Sequence, residues 1–312
     1  MMASASSSFR RRENALFLLV ITLMMMSLAR PSVAVLGSGS RRLMELNRTP
    51  VSDHDNAVLS GDIPVFVLWY GRFTPAQKVI VTDFLLSLSP AAQDTPSPSV
   101  SQWWSTIDRL YLSKADTAAG KNARVVLAGQ VSDEACSLGK HLTLSQLPAL
   151  AMRARPAKPS GGVALVLTAD DVAVEGFCVT RCGLHASDDA QTNNAAYAWV
   201  GNPARQCPGK CAWPYGAQQV APPNGDVGVD GMVINVASEL AGVVTEPFYQ
   251  GDDRAMTACP GVFGKGAYPG HAGELLVDEA TGASYNANGA HGRKYLLPAQ
   301  FDPDTSTCAT LV

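Results

Sequence analysis

The most regular pattern in the chain is a stripe of apolar residues between positions 229 and 246. They recur at the i, i+3, i+4, i+7 spacing that places side chains on one face of an α-helix: Val229, Met232, Val233, Val236, Leu240, Val243 and Val244. The segment just before it, 222–228, consists mostly of Pro, Gly, Asn and Asp, which are typical of turns. The pattern therefore predicts a turn followed by a long helix over 229–246.

Alternating strand-like and helix-like patterns begin at Ile63. Residues 63–70 are β-branched and aromatic, which indicates a buried strand. Thr74 and Gln77 have the spacing of a capping box, and Pro75 suits the first helical position. A helix is therefore predicted to start at Thr74, and a second helix is predicted over 100–111.

The same reasoning extends the alternation along the chain. Further strands are predicted over 123–127, 162–167, 173–179 and 195–200, and a helix around 144–153. From Cys259 onward the chain is rich in Gly, Pro and Asn, which predicts loops and short strands. The prediction is an α/β fold: one domain over 61–312 with a mixed central sheet and a loop-rich, disulfide-tied C-terminal part.

The first 34 residues have the layout of a signal peptide. A basic segment, Arg10–Arg12, precedes an apolar run over 16–29, and Ser32-Val33-Ala34 is a small-x-small cleavage signal. We place the cut after Ala34, with Ala29 as an alternative. The apolar run is shorter than the roughly 20 residues that a membrane span requires, which favours a signal peptide over an anchor.

Residues 35–60 have no periodicity and are predicted to be a mobile leader. Asn47 begins an N-glycosylation sequon, although Pro50 follows it directly. Removing residues 1–34 leaves 20 basic against 26 acidic side chains, a net charge of −6. An acidic chain without a basic cluster is unsuited to nucleic acid or to an anionic membrane surface.

Seven cysteines agree with an extracellular address, because disulfides form in oxidising compartments. A Cys-x-x-x-Cys spacing occurs at Cys178/Cys182 and again at Cys207/Cys211. Four thiolates of this kind could also hold zinc, but a secreted protein favours disulfides. We predict the bridges 178–182, 207–211 and Cys259–Cys308, with Cys136 as the free thiol, although six cysteines permit fifteen pairings.

Catalytic motifs are incomplete in this chain. The predicted long helix carries Ser238-Glu239 and Gly242, where a zinc hydrolase would have His-Glu and a second His. No histidine lies four residues from another, and the Gly-x-Ser-x-Gly motif of serine hydrolases is absent. Adjacent acids such as Asp170-Asp171 are typical of solvated turns. We therefore predict a non-catalytic protein without a metal or another cofactor.

A zincin-derived hydrolase is the alternative that these residues leave open. It requires Glu239 to face a pocket together with at least two histidines from elsewhere, such as His185, His271 or His291.

Aromatic side chains suggest a second kind of site, because sugar rings stack on flat apolar faces. Trp213, in the run Cys207–Tyr215, is the best candidate for an exposed ring among five tryptophans. If Trp213 and Tyr215 share an exposed surface, they form a ligand platform. The alternative is that Trp213 packs over a neighbouring disulfide.

Several long sequence runs occur together and in a fixed order. They are Trp69–Pro75, Pro98–Trp104, Cys207–Pro214, Pro222–Met232, Gly264–Gly270, Gly292–Ala299 and Thr305–Cys308. In this order they resemble the plant EXORDIUM-like (phosphate-induced) protein family from about Ile63 to Val312.

The resemblance implies an apoplastic protein that acts in cell expansion and is linked to brassinosteroid signalling and carbon status. It supplies no catalytic residues that could be carried over to this chain. We expect the partner to be an extracellular protein or a cell-wall glycan, and no membrane association after the signal peptide is removed. A binding module for wall polysaccharide is the more specific form of this hypothesis.

Overall fold

A computed structural model of the chain describes residues 59, 61–89, 95–114, 123–155, 162–187, 196–216, 220–247 and 257–312. The predicted signal peptide, almost all of the leader and Asn47 lie outside the described residues.

The described part contains both helices and strands in alternation. The helices are α1 (Pro75–Ser87), α2 (Val100–Leu110), α3 (Leu147–Ala154), α4 (Pro208–Cys211) and α5 (Val227–Thr245). The strands are β1 (Asp62–Tyr70), β2 (Arg124–Asp133), β3 (His141–Leu142), β4 (Val163–Thr168), β5 (Ala173–Val174), β6 (Gly183–Ser187), β7 (Ala196–Gly201), β8 (Leu276–Val277), β9 (Ser284–Tyr285), β10 (Ala287–Asn288), β11 (Lys294–Tyr295), β12 (Gln300–Asp302) and β13 (Thr307–Ala309).

A five-stranded sheet forms the centre of the fold, in the order β2–β1–β4–β7–β6. The first four of these strands are parallel, and β6 pairs antiparallel with β7. Every residue of β4 and of β7 is buried, as expected for central strands that are covered on both faces. The structure thus confirms the predicted α/β class and the mixed sheet.

Helices cover both faces of this sheet. Helix α3 packs on β1, β4 and β7, whereas α1 and α5 contact each other, with α1 on β2 and α5 on β6 and β7. The connections β1–α1–α2–β2 and β2–α3–β4 run in opposite directions along the sheet, and right-handed crossovers then place α1 and α3 on opposite faces.

The long helix predicted over 229–246 is α5. Asp226 caps its N-terminus by accepting a hydrogen bond from the Val229 amide (3.0 Å). Among the described helices, α5 has the length and apolar composition to cross a membrane, but 78% of its apolar window is buried inside the protein. It is therefore placed as the core helix of this fold.

One strand prediction is mostly wrong, and the strands β3 and β6 were not predicted. Of the predicted strand over 173–179, only Ala173–Val174 is extended, because Gly176 (φ 78°) and Cys178 (φ 65°) turn the chain in the left-handed region. The chain then enters β6, whose sequence Gly-Leu-His-Ala-Ser lacks a clear apolar alternation. The predicted helix over 144–153 is observed as a short 3-10 turn followed by α3.

Three disulfides are present, and two of the predicted pairings are wrong. Cys178 pairs with Cys207 and Cys182 with Cys211, whereas Cys259 pairs with Cys308 as expected. Cys207 and Cys211 lie one helical turn apart, at either end of α4, so they face the neighbouring 178–182 turn together. The bridges therefore join two segments that are 29 residues apart, rather than closing each short loop.

The segment 257–312 has a different construction. Its strands are only two or three residues long. It packs on the helices through buried apolar side chains such as Tyr295 and Leu297, which join the main core, and through individual hydrogen bonds. The Trp103 indole donates to the Pro298 carbonyl (2.7 Å), and the Tyr295 hydroxyl donates to the Ile80 carbonyl (3.0 Å). We call residues 257–312 the C-terminal part.

Candidate functional site

The strand order places a crevice at the carboxyl edge of the sheet. From β1 the chain moves to β2 on one side, then crosses to β4 on the other side and continues to β7. Ligands of open α/β sheets bind outside the carboxyl ends of the strands, at the point where the strand order reverses. Here that point lies between the loops that follow β1 and β4.

Backbone hydrogen bonds hold these loops together. The Gly71 amide donates to the Asp133 carbonyl (3.0 Å), and the Ala169 amide donates to the Tyr70 carbonyl (2.9 Å). Gly71 has φ +93°, and a Cβ on it would lie 2.6 Å from the Ala169 Cβ. Glycine is therefore required where the two loops meet.

Two adjacent shallow depressions, of about 340 and 330 Å³ and open to solvent, form the crevice. The first is lined by Asp170, Asp171, Ala173, Arg205 and Gln206, and the second by Gly71, Arg72, Glu134, Ala135, Cys136, Lys140 and Asp171. Asp171 is common to both. The lining comes from the ends of β1, β2 and β4 and from the loop after β7, so the sheet topology brings these residues together.

The crevice carries charges of both signs. Lys140 donates a hydrogen bond to Asp171, and this ion pair lowers the pKa of the Asp171 carboxyl. The positive charge of Arg205 also lowers the pKa of the Asp171 carboxyl. Gln206 is held in place because its side-chain amide donates to the Asp170 and Val172 carbonyls (3.1 and 3.0 Å). A ligand of mixed charge, or a neutral polar one, suits this surface.

The thiol of Cys136 lies at the wall of the crevice, in the turn that follows β2. Cys136 has φ 52°, and its carbonyl accepts from the Gly139 amide (2.7 Å). The Tyr70 hydroxyl fixes the same turn, since it donates to the Gly139 carbonyl (2.7 Å) and accepts from the Leu138 amide (2.8 Å).

Cys136 is unpaired and buried, and burial raises the pKa of its thiol. Lys140 and Arg72 oppose this shift, but burial has the larger effect. Because the thiolate is the nucleophilic form, a raised pKa keeps this side chain in its less reactive state at neutral pH. The burial of Cys136 and the raised pKa of its thiol therefore favour a packing role for this side chain.

A buried histidine contacts Glu239 on α5. The Nδ1 atom of His185 lies 2.8 Å from Glu239 Oε2, and the two side chains are 7% and 15% exposed. The His185 ring lies directly over Gly242, where an added Cβ would be 2.2 Å from the ring. Gly242 therefore leaves room for an imidazole against the helix.

The histidines that a zincin-derived hydrolase would need are engaged in different places. His291 Nδ1 lies 2.9 Å from Asp83 on α1, and His271 stacks against Tyr268 in a loop. Of these three histidines, His185 is the one that lies beside Glu239. In the residues that the structure describes, the requirement for two histidines beside Glu239 is therefore not met.

The sulfur atoms of Cys178, Cys207 and Cys211 lie within 4.8 Å of one another. This proximity results from the two adjacent disulfides, in which all three sulfurs are bonded. The four-thiolate zinc alternative is therefore replaced here by two disulfide bridges.

The predicted platform of Trp213 and Tyr215 is not formed. Tyr215 is buried, at 6% exposure, because it packs with Ile234, Phe263 and other apolar residues beneath the C-terminal part. Trp213 is half-buried and stacks on Phe263 at 5.7 Å between ring centroids. The two rings therefore do not share an exposed surface.

Two groups of acidic side chains were not predicted from the sequence: one lies in the crevice, and the other lies outside it. Asp170-Asp171 line the crevice, although the adjacent acids suggested a solvated turn; their position just after a buried strand was the available signal. Asp230, on the first turn of α5, is buried, and burial raises the pKa of its carboxyl to about 7. Asp230 lies off the apolar stripe of the predicted helix, so the sequence pattern did not indicate its burial.

The structure is that of an α/β protein with an open, mostly parallel sheet and a crevice at the point where its strand order reverses. The chain belongs to the phosphate-induced protein 1 family, whose conserved region matches residues 51–311. This confirms the resemblance seen in the sequence.

Relatives of known name match most of the chain. It is 49% identical over 298 residues to Protein PHOSPHATE-INDUCED 1 of Nicotiana tabacum, covering 88% of this chain and 93% of that protein. Protein EXORDIUM of Arabidopsis thaliana is 46% identical over 280 residues (83% and 88%), and Protein EXORDIUM-like 2 is 45% identical over 303 residues (89% and 95%). No solved structure matches the chain.

Proposed function

We propose that this is a secreted, apoplastic protein that promotes plant cell expansion by binding an extracellular partner, without catalysis. The proposal includes cleavage after Ala34, a leader over 35–60 and a single domain over 61–312. It also includes the link to brassinosteroid and carbon status that the family resemblance implies. Three disulfides and the apolar N-terminal run support the extracellular address.

One observation carries the binding role: the crevice at the carboxyl edge of the sheet. Its residues are positioned by backbone and side-chain hydrogen bonds, its charges have both signs, and its thiol has a raised pKa. These properties suit recognition of a polar partner at a shallow, pre-positioned surface. They do not suit nucleophilic attack, which needs an activated nucleophile.

The test uses purified mature protein, beginning at Val35, incubated with wall glycans and peptide libraries with and without a metal chelator. Binding and turnover are scored separately. Saturable binding without turnover is the expected result. Chelator-sensitive turnover that Glu239→Ala abolishes would instead establish the zincin-derived hydrolase.

A variant pair locates the binding site on the sheet. Arg72→Ala combined with Asp171→Asn changes the charge pattern of the crevice and is expected to weaken binding by about tenfold or more. Arg124→Ala is the matched control: Arg124 forms an exposed ion pair with Asp62 (2.7 Å) at the opposite, amino edge of the same sheet. Equal binding by both variants would remove the crevice from the proposal.

A further inference from the structure

A solvent-exposed tyrosine stands at the tip of the loop 264–273 in the C-terminal part. Tyr268 is 61% exposed, which is unusual for a large aromatic side chain in this protein. Its ring stacks on that of His271, with centroids 4.9 Å apart and planes tilted by 34°. The His271 ring thus backs one face of the Tyr268 ring, and the high exposure of Tyr268 leaves its other face to solvent.

The backbone fixes this tip. The Tyr268 amide donates to the His271 carbonyl (3.1 Å), and the His271 amide donates to the Tyr268 carbonyl (2.8 Å). Pro269 and Gly270 occupy the two central positions, and Gly270 has φ 88°. Proline followed by a glycine with positive φ is the requirement of a type II turn, so the sequence is well suited to this tight reversal.

The base of the loop is equally constrained. A Cβ on Gly273 would lie 2.2 Å from the Gly264 carbonyl oxygen, so the two arms of the loop touch at this neck. The Phe263 amide donates to the Ala272 carbonyl (3.1 Å), and Phe263 itself is buried. The Lys265 amide donates to the carbonyl of the C-terminal residue Val312 (2.9 Å).

An exposed ring on a pinned turn contributes little to the core. Its position is set in advance, so that little conformational entropy is lost when a ligand stacks on it. Loops held on a rigid scaffold commonly carry binding residues for this reason.

We propose that the open face of the Tyr268 ring, backed by His271, is a platform on which a pyranose ring of a cell-wall polysaccharide stacks. One face of a pyranose presents C–H groups to an aromatic ring, while the phenol and imidazole offer hydrogen bonds to sugar hydroxyls. Exposed Lys265 and Glu274 lie at the neck of the loop with opposite charges.

The surroundings favour a saccharide over a protein partner. The positions beside Tyr268 are Pro269 and glycines such as Gly266 and Gly270, and all three are exposed. A protein interface has a contiguous apolar centre around its aromatic anchor, and a lone ring on a glycine-rich tip does not provide one.

The inference rests on the proposed function in that the protein must meet its ligand in the wall, but it concerns a different site. The crevice lies at the carboxyl edge of the sheet, and this platform lies in the C-terminal part. The sugar-binding role expected of Trp213 and Tyr215 is thereby assigned to other rings.

The experiment measures binding of the mature protein to soluble oligosaccharides of xyloglucan, mannan and homogalacturonan by calorimetry. Tyr268→Ala is expected to weaken binding to the recognised oligosaccharide by about tenfold or more, and Tyr268→Phe by about threefold or less. Val277→Ala is the control, because Val277 is 59% exposed in the same part of the chain, and it should bind like the unaltered protein. Thermal unfolding midpoints should be unchanged in all three.

Three outcomes would overturn the platform. In the first, no oligosaccharide of the panel binds. In the second, Tyr268→Ala binds an oligosaccharide as tightly as the unaltered protein; in the third, Tyr268→Ala loses binding to a wall protein but not to any oligosaccharide. If the crevice variant loses a peptide ligand while Tyr268→Ala retains saccharide, the platform is rejected and the crevice proposal stands. If Tyr268→Ala loses the saccharide while the crevice variant retains its peptide ligand, the crevice proposal is rejected and the platform stands.

Discussion

The sheet and its helices differ from the C-terminal part in what holds them together. In β4 and β7 every residue is buried, and α5 buries an apolar face against the sheet. In 257–312 the strands are two or three residues long, and the segment is fixed by a disulfide and by individual side chains. Both regions bury apolar side chains, since Tyr295 and Leu297 join the main core. The first region adds the continuous hydrogen bonds of long strands, whereas the second relies on individual side-chain hydrogen bonds and a disulfide in their place.

Asn286 illustrates the second kind of stabilisation. Its side-chain amide donates to the Phe263 and Leu297 carbonyls (2.8 and 2.7 Å), and its oxygen accepts from the Leu297 amide (2.8 Å). One buried side chain thus satisfies three backbone groups from two loops. In a longer strand, backbone hydrogen bonds to a neighbouring strand would satisfy such groups.

The largest expected effect comes from the apolar region. Leu240→Ala on α5 removes a fully buried side chain and leaves a cavity, which should lower the free energy of unfolding by about 4 kcal/mol. Leu86→Ala is the control, since Leu86 on α1 is 46% exposed and should change it by less than about 0.5 kcal/mol. Urea unfolding measures both, and equal effects would contradict the placement of α5 in the core.

The next largest effect concerns the disulfide of the C-terminal part. Replacing Cys259 and Cys308 together with serine should lower stability by about 3–4 kcal/mol, because the bridged residues are 49 positions apart in the sequence. Hydrogen exchange should rise in 257–312 more than in β1. Cys136→Ser, which removes no cross-link, should cost about 1 kcal/mol. If hydrogen exchange rises equally in β1 and in 257–312, the two regions do not unfold separately.

Sequence reasoning succeeded where structure follows periodicity. The capping box at Thr74 and Gln77 is present, and α5 lies within two residues of the predicted helix. The strands β1, β4 and β7 also lie within about one residue of their predicted bounds. Local patterns predict these elements, because the spacing of apolar residues along the chain indicates which side chains are buried.

It failed where structure depends on contacts between distant segments. The pairing of Cys178 with Cys207 follows from α4 lying beside the 178–182 turn, which no local spacing shows. The burial of Tyr215 depends on Phe263, and the crevice depends on the order of strands in the sheet. His185 meets Glu239 for the same reason, since they are 54 residues apart.

A pH measurement probes the junction of the two regions, where Asp230 lies. Its carboxyl accepts from the Asn224 amide (2.9 Å) and side chain (2.6 Å), and Asn224 also donates to the Lys294 carbonyl (3.0 Å) in the C-terminal part. Burial raises the Asp230 pKa to about 7, so the folded state holds a proton that the unfolded state releases near pH 4. Stability from this group is therefore greatest at low pH and falls as pH rises towards 7.

Between pH 5 and pH 7 the loss should be about 2 kcal/mol for the unaltered protein, relative to Asp230→Asn. Comparing the change with pH, rather than absolute stability, cancels the other titrating groups and any direct cost of the substitution. Parallel pH profiles for the two proteins would show that Asp230 is ionised in the fold at both pH values.

The smallest effect tests whether a local motif acts only locally. Thr74→Ala removes the N-cap of α1 and should cost about 1 kcal/mol. Gln77→Ala removes the reciprocal bond to the Thr74 amide (3.0 Å) and also a bond to Asp226, the N-cap of α5 (2.9 Å). It should therefore cost about 0.5–1 kcal/mol more than Thr74→Ala.

A double-mutant cycle separates the two contributions of Gln77. In an Asp226→Ala background, the excess cost of Gln77→Ala over Thr74→Ala should disappear, because the partner on α5 is gone. If the excess remains, Gln77 acts only within α1, and the link between the two helix N-termini makes no measurable contribution. If it disappears, a motif that the sequence predicts as a local cap also joins two elements 149 residues apart.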